Sequence, residues 1–191
     1  RSSDLSALQR HGSRRRKRCG VHASRARPSQ SNRARQRGRI RRVDQRGTYL
    51  ACVVFGRGMV ARRRGGIVNI ASVAGMRSMP LHAYAPAKAA VIAMTECLAA
   101  EWGRAQVRVN AVAPGYTRTP ALQLAIDKGE RDPAALEDAS ALGRLVEAAE
   151  IARAVAFLAS ADASAITGVC LPVDCGWLVA GSWQGYGGLR G

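Results

Sequence analysis

From Thr48 onward, apolar and polar positions fall into blocks with recognisable periods. Residues 48–63, TYLACVVFGRGMVARR, space their apolar side chains at helical intervals, and the glycine pair at 65–66 is expected to end that helix. Residues 67–70, Ile-Val-Asn-Ile, form a short β-branched run of the kind that builds a buried strand. A turn of small residues follows at 71–75, then a loop containing Pro80. The pattern from Tyr84 to Trp102 predicts a long alanine-rich helix closed by Gly103. Residues 107–113 predict the next strand, stopped by Pro114-Gly115. Residues 116–146 read as helical pieces and loops over a site, 147–158 as an amphipathic helix, and 169–173 as a last strand. The tail, 176–191, is rich in glycine and aromatic residues, and the chain contains no internal repeat.

Strands that alternate with helices imply βαβ units and a parallel sheet, hence an α/β fold. Such sheets bind ligands beyond the carboxyl ends of their strands. Two places of that kind stand out: Ser72, just past the strand at 67–70, and residues 114–119, just past the strand at 107–113. Tyr84 and Lys88 lie four residues apart at the start of a predicted helix, so they share a face. A cation beside a phenol favours its ionised form, and a phenol so placed can exchange a proton with a hydroxyl or carbonyl oxygen. Ser72 faces the start of that helix and can hydrogen-bond the same oxygen.

Charge changes the picture at the N-terminus. The 191 residues hold 30 Lys and Arg against 13 Asp and Glu, a formal charge of +17. Residues 1–46 carry a net +14 of this, and residues 47–191 only +3. The first segment has few apolar residues, no aromatic ones and no period, so it cannot offset the entropy of ordering. It is expected to form a separate basic, disordered or out-of-frame segment, with 47–191 as the folded part. No apolar run is long enough for a membrane span, and no secretory signal opens the chain, which starts at Arg1 as a fragment would. Five scattered cysteines, with His11, His22 and His82 apart from them, predict free thiols in a cytoplasmic protein and no metal site.

The order of motifs carries more than any one of them. Ile-Val-Asn-Ile-Ala-Ser-Val-Ala-Gly at 67–75, Tyr-Ala-Pro-Ala-Lys at 84–88 and Arg-Val-Asn-Ala-Val-Ala-Pro-Gly at 108–115 follow in turn. After them come Tyr-Thr-Arg-Thr at 116–119, Leu-Gly-Arg at 142–144, Phe-Leu-Ala-Ser at 157–160, Ile-Thr-Gly at 166–168 and Val-Asp-Cys-Gly at 173–176. This series resembles the short-chain dehydrogenase/reductase family over about residues 47–176. The resemblance implies a Rossmann-like, doubly wound parallel sheet, incomplete at its N-terminal half. It implies hydride transfer between NAD or NADP and a small alcohol or ketone. It assigns Tyr84 as the general acid/base, Lys88 as its cationic partner and ribose ligand, and Ser72 as the group that orients the substrate oxygen. Pro114, Gly115, Thr117 and Thr119 match the segment that holds the nicotinamide, Pro fixing φ and Gly allowing close backbone approach. Asn69 and Asn110 match residues that tie neighbouring strand ends together. An intact member would form a homo-oligomer through the helices at 48–63 and 84–102.

The family's fourth catalytic residue is an asparagine, and its position falls at Asp44. The exchange removes an amide donor and adds a charge, although a backbone carbonyl role could survive. Upstream of Asp44 the Gly-rich turn that lets backbone amides approach a pyrophosphate is missing, since Gly12, Gly20 and Gly38 are isolated. Weak binding of the dinucleotide is therefore expected. Two readings compete for residues 1–46. One is a basic arm binding phosphate backbones without base specificity, on a remnant fold. The other, favoured because the segment stands where a half-domain belongs, is a shifted reading frame through GC-rich DNA.

Overall fold

Periodicity and punctuation place most elements where the chain needs them. The structure, a computed structural model, describes Gly38 and residues 40–189. The Arg-rich run at 14–18 lies outside them. A π-helical segment, Arg41–Gly47, runs straight into α1, Thr48–Ala61. β1, Gly65–Ile70, leads through a 3₁₀ turn, Val73–Gly75, to α2, Tyr84–Trp102. β2 is Val107–Pro114 and β3 is Thr117–Arg118. Two short helices follow, α3 at Pro120–Asp127 and α4 at Pro133–Asp138, each with proline in its first turn, where the missing N–H costs nothing. β4, Val146–Glu147, α5, Ala148–Ala159, β5, Cys170–Val173, and α6, Trp177–Ala180, complete the order.

The glycine pair does not end α1 as expected. The helix stops at Arg62, Arg63 takes a left-handed conformation (φ 53°), and Gly65-Gly66 open β1. Packing supplies the reason: a Cβ on Gly65 would lie 2.6 Å from the Met59 side chain. The pair β3–β4, which joins Thr117 to Val146 in parallel, has no counterpart in the sequence reading.

β1, β2 and β5 pair in parallel in that order, so β2 is central. Its side chains alternate between two buried faces. Val107, Val109, Ala111 and Ala113 meet α1 and α2, whereas Val112 meets Leu158 and Ile151 of α5. Helices therefore cover both faces of one parallel sheet, the doubly wound arrangement. Arg108, on the α5 side of β2, donates to the carbonyls of Leu158 (2.7 Å) and Ser160 (2.9 Å) at the C-terminus of α5. A guanidinium there satisfies orphan carbonyls and complements the helix dipole.

The opposite end of α5 is capped by charge. Glu147 and Glu150 form a capping box, and Arg144 grips Glu150 through two 2.8 Å hydrogen bonds. The Arg144 bonds, followed by the Glu147 N–H, hold the Glu150 carboxyl down at about 2, from an ordinary 4.5. A carboxyl lowered by folding contributes stability in full above its unfolded value and loses it as pH falls through the folded value. The Tm advantage of the chain over Glu150→Gln is therefore expected to be constant above about pH 5, to shrink from about 4.5 downward, and to vanish below about 2.

Candidate active site

Three chain segments meet where β1 ends. The Ala71 N–H donates to the Val112 carbonyl (2.8 Å), which continues the strand pairing up to the residue before Ser72. Ser72 is extended (φ −170°, ψ 153°) and caps the 3₁₀ turn, its Oγ accepting from the Ala74 N–H at 3.2 Å. That acceptor role leaves the hydroxyl proton available to a second partner. Gly75 ends the turn against α2: a Cβ there would stand 2.7 Å from the Lys88 carbonyl carbon and 2.8 Å from the Ala89 nitrogen. Only a residue without a side chain lets the Ser72 turn rest on the helix backbone at Lys88.

Tyr84 and Lys88 occupy the first two turns of α2. The Lys88 ammonium lies 5.5 Å from the centroid of the Tyr84 ring, a cation–π distance. Lys88 is buried, and its Nζ donates to the Ile70 carbonyl at 3.0 Å. A second partner is Asp44, whose Oδ1 lies 2.9 Å from Nζ. The π-helical segment carries Asp44 to this point, and Thr48 Oγ1 donates to the Asp44 carbonyl at 2.7 Å. Lys88 thus ties the segment before α1, the end of β1 and the start of α2 together. Two of its three N–H groups are directed at these acceptors, which leaves one for a ligand.

The segment after β2 has partners of its own. The Gly115 N–H donates to the Val173 carbonyl (3.0 Å), and a Cβ on Gly115 would lie 2.8 Å from Asp174 Cα. The space beside Gly115 is thus taken by the Asp174 backbone, a different close approach from the one expected. Thr117 Oγ1 donates to the Gly115 carbonyl (3.1 Å). Thr119 caps α3, accepting from the Leu122 N–H at 3.2 Å. Arg118, half exposed, pairs with Glu147 (3.1 Å) and Glu137 (3.5 Å) and so links β3 to β4 and α4.

The asparagines divide their work. Asn110 Nδ2 donates to the Ile166 carbonyl (2.9 Å) and its Oδ1 accepts from the Val169 N–H (3.2 Å), which fastens β2 to the turn before β5. Asn69 instead bonds the helix layer: Nδ2 donates to Thr95 Oγ1 (3.0 Å), and the Cys52 thiol donates to Oδ1 (3.4 Å). It holds β1 to α1 and α2, because position 69 points to the helices and not along the sheet.

The Asp174-Cys175-Gly176 turn follows β5. Cys175 has φ 52° and Gly176 φ 76°, both left-handed. The Asp174 carboxylate accepts from the N–H groups of Gly176 and Leu178, both at 2.9 Å, and holds the turn. A Cβ costs free energy in this conformation. Cys175→Gly is therefore expected to raise the unfolding free energy by about 0.5–1 kcal/mol, measured by urea denaturation, after allowing for the larger backbone entropy of glycine.

Arg77, which no sequence signal marks, and Tyr116, which opens the motif at 116–119, fasten the tail beside the site. Arg77 Nη1 donates to the Leu178 carbonyl (2.7 Å), and its guanidinium lies 5.9 Å from the Trp177 ring. Tyr116 meets Trp177 edge-on at 5.9 Å. The loops after β1, β2 and β5 are joined in this way, across 101 residues in the case of Arg77. Trp183 and Tyr186 remain largely exposed. A cavity of about 390 Å³ lies on the neighbouring flank of α2, lined by Met76, Arg77, Met79, His82, Pro86 and Ala89 among others. Ser72, Tyr84 and Lys88 do not line it, so it adjoins these three residues without containing them.

Cys52, Cys97, Cys170 and Cys175 are free thiols. Burial pushes the Cys52 and Cys175 thiols up, and Cys170 up to about 11 with a smaller contribution from Glu96. Among the described residues no group of three His, Cys, Asp or Glu side chains is placed to hold a metal ion.

Proteins similar to this chain include short-chain dehydrogenases. The family model described as enoyl-(acyl carrier protein) reductase matches residues 23–178. The match begins upstream of the motifs at 47–176. The chain belongs to the short-chain dehydrogenase/reductase family. A galactitol 2-dehydrogenase from Rhizobium johnstonii is 42% identical over 142 residues, which span 73% of this chain and 55% of that protein. A crystal structure described as ribose-5-phosphate isomerase from Brucella melitensis 16M is 61% identical with a TM-score of 0.81, covering 83% of this chain and 61% of that one. A 3-oxoacyl-[acyl-carrier protein] reductase with bound NAD from Brucella melitensis is 35% identical with a TM-score of 0.67, covering 77% and 53%. The chain spans about half the length of several of the curated relatives it matches.

Proposed function

We propose that this chain carries the catalytic part of an NAD- or NADP-dependent oxidoreductase acting on a secondary alcohol or the corresponding ketone. One observation carries the reading: the Lys88 ammonium stands 5.5 Å from the Tyr84 ring while bonded to the Ile70 carbonyl, two residues before Ser72. Acid/base phenol, cation and orienting hydroxyl are thereby tied to one strand end. The donor set suits a nicotinamide riboside, since Lys88 keeps one N–H for a ribose hydroxyl and the turn at Pro114, Gly115, Thr117 and Thr119 borders the same sheet end. When bound, the nicotinamide supplies or accepts the hydride. Tyr84 takes the alcohol proton or returns it to the ketone oxygen, Ser72 orients that oxygen, and Lys88 holds positive charge beside the phenol.

Polyols are the first substrate class to test, because a relative is named for galactitol. The isomerase description of the Brucella structure suggests sugar chemistry without hydride transfer. An enediol route needs a carboxylate base free to reach a C–H, and Asp44 is engaged by Lys88. The matched family and relatives offer nothing in favour of the nucleic-acid reading. The folded unit is taken to begin before residue 47, since the Arg41–Gly47 segment runs into α1 and its Asp44 pairs with Lys88. A homo-oligomer is supported by α1, which leaves Tyr49, Leu50, Val54 and Phe55 exposed, an apolar face a second copy would cover. We place the protein in the cytoplasm, where free thiols stay reduced.

The test mixes the chain with NAD or NADP and a panel of polyols and simple secondary alcohols, and follows the absorbance of reduced nicotinamide. Alcohol-dependent reduction is the expected result, saturating at cofactor levels well above the low-micromolar range. A cooperatively melting chain that reduces neither cofactor with any alcohol would overturn the proposal.

A further inference from the structure

Asp44 places a formal negative charge where the family motif has a neutral amide. Its carboxylate is 2.9 Å from Lys88 Nζ, and the two side chains keep only 22% and 11% of their surface exposed. Partly buried charges are screened by salt less than surface ones. The local sum of charge at this corner is zero with aspartate and would be +1 with asparagine.

That difference acts unequally on the two forms of a nicotinamide. The ring is a cation when oxidised and neutral when reduced, while the attached ribose and phosphate are the same in both. A carboxylate near the ring therefore attracts one form and leaves the other nearly unaffected. We propose that Asp44 biases the nicotinamide side of the site toward the oxidised form, the form that accepts hydride from an alcohol. The inference rests on the reading of Tyr84 and Lys88 as nicotinamide-side groups. Other carboxylates after the strands, Asp174 on the N–H groups of Gly176 and Leu178 and Glu137 and Glu147 on Arg118, are common to every variant tested below.

The probe is nicotinamide mononucleotide, oxidised and reduced, which carries the ring, ribose and phosphate without the adenosine half. Dissociation constants for the whole chain and for Asp44→Asn are measured by ligand-observed NMR, with thermal melts as a control for folding. The chain is expected to prefer the oxidised form, and Asp44→Asn to reduce that preference about fivefold, almost wholly by weakening the oxidised form. An effect of this size is what a unit charge exerts at an effective dielectric constant between those of protein and water. Asp44→Ser serves as a second variant if Asp44→Asn does not melt cooperatively. If neither does, the preference of the unsubstituted chain decides: an oxidised form bound several-fold more tightly supports the charge effect, and equal binding of the two forms overturns it. A preference unchanged within twofold in a folded variant that still binds overturns the inference and leaves the nicotinamide site standing. Failure of the folded chain to bind either form overturns the site and the inference together.

Discussion

Replacing Tyr84 by Phe is expected to cut alcohol-dependent turnover by about 10²–10⁴-fold, the range supplied by a positioned acid/base. The substitution removes one oxygen and keeps the ring over which Lys88 is held at 5.5 Å. Binding of the nicotinamide should change little, because the Lys88 contacts to Ile70 and Asp44 do not involve the phenol oxygen. The loss should therefore fall on kcat, with the cofactor KM moving by less than about threefold. Steady-state kinetics on the polyol that turns over best, with a thermal melt of each protein, separates the outcomes. Turnover retained within tenfold, in a variant that melts like the parent, would remove Tyr84 from the chemistry.

The largest expected loss of stability comes from Asn110→Leu, at about 2–5 kcal/mol. Asn110 is fully buried in the central strand, and its amide serves two backbone groups at once, the Ile166 carbonyl and the Val169 N–H. Leucine fills a similar volume and offers neither partner. The Val169 N–H loses its side-chain partner, which costs about 1–3 kcal/mol, and the Ile166 carbonyl keeps only the longer bond from Arg108 at 3.4 Å. The turn they belong to is also held by the Gly168 N–H on the Val109 carbonyl and the Val109 N–H on Thr167 Oγ1, so it has little freedom to seek water. Urea denaturation should show a lower midpoint with an unchanged slope. A loss below about 1 kcal/mol would mean that the turn relaxes and resolvates both groups.

Much of the catalytic arrangement is written locally. Tyr84–Trp102 is helical over the full predicted span, because an alanine-rich run needs no distant partner to be recognised, but Gly103 stays helical in a 3₁₀ turn and the left-handed stop falls at Gln106. The strands at 67–70 and 107–113 are equally plain, since β-branched runs between glycine and proline punctuation have few alternatives. Contacts that depend on where distant segments come to rest were not legible. Arg108 gives no sign in sequence that it will cap α5, some 50 residues away. Gly65 reads as a helix breaker until Met59 is seen lying where its Cβ would be. At Asp44 the motif reveals the substitution, yet only the π-helical turn shows that the new carboxylate reaches Lys88. The expected roles of Pro114, Gly115, Thr117 and Thr119 rest on resemblance alone, whereas the structure shows Gly115 and Thr119 serving the fold, against Asp174 and at the start of α3.

The bare backbone of Gly75 has a consequence for motion. With no side chain between them, the turn after Ser72 and the helix backbone at Lys88 touch directly, and the Gly75 N–H bonds the Ser72 carbonyl at 2.9 Å. Neither surface has a rotamer with which to absorb a displacement of the other. Local opening at this corner therefore involves the turn and the first two turns of α2 as one unit. Amide protons in both should exchange with solvent at a common rate, and Ser72 and Tyr84, the proposed orienting and acid/base residues, are expected to move together.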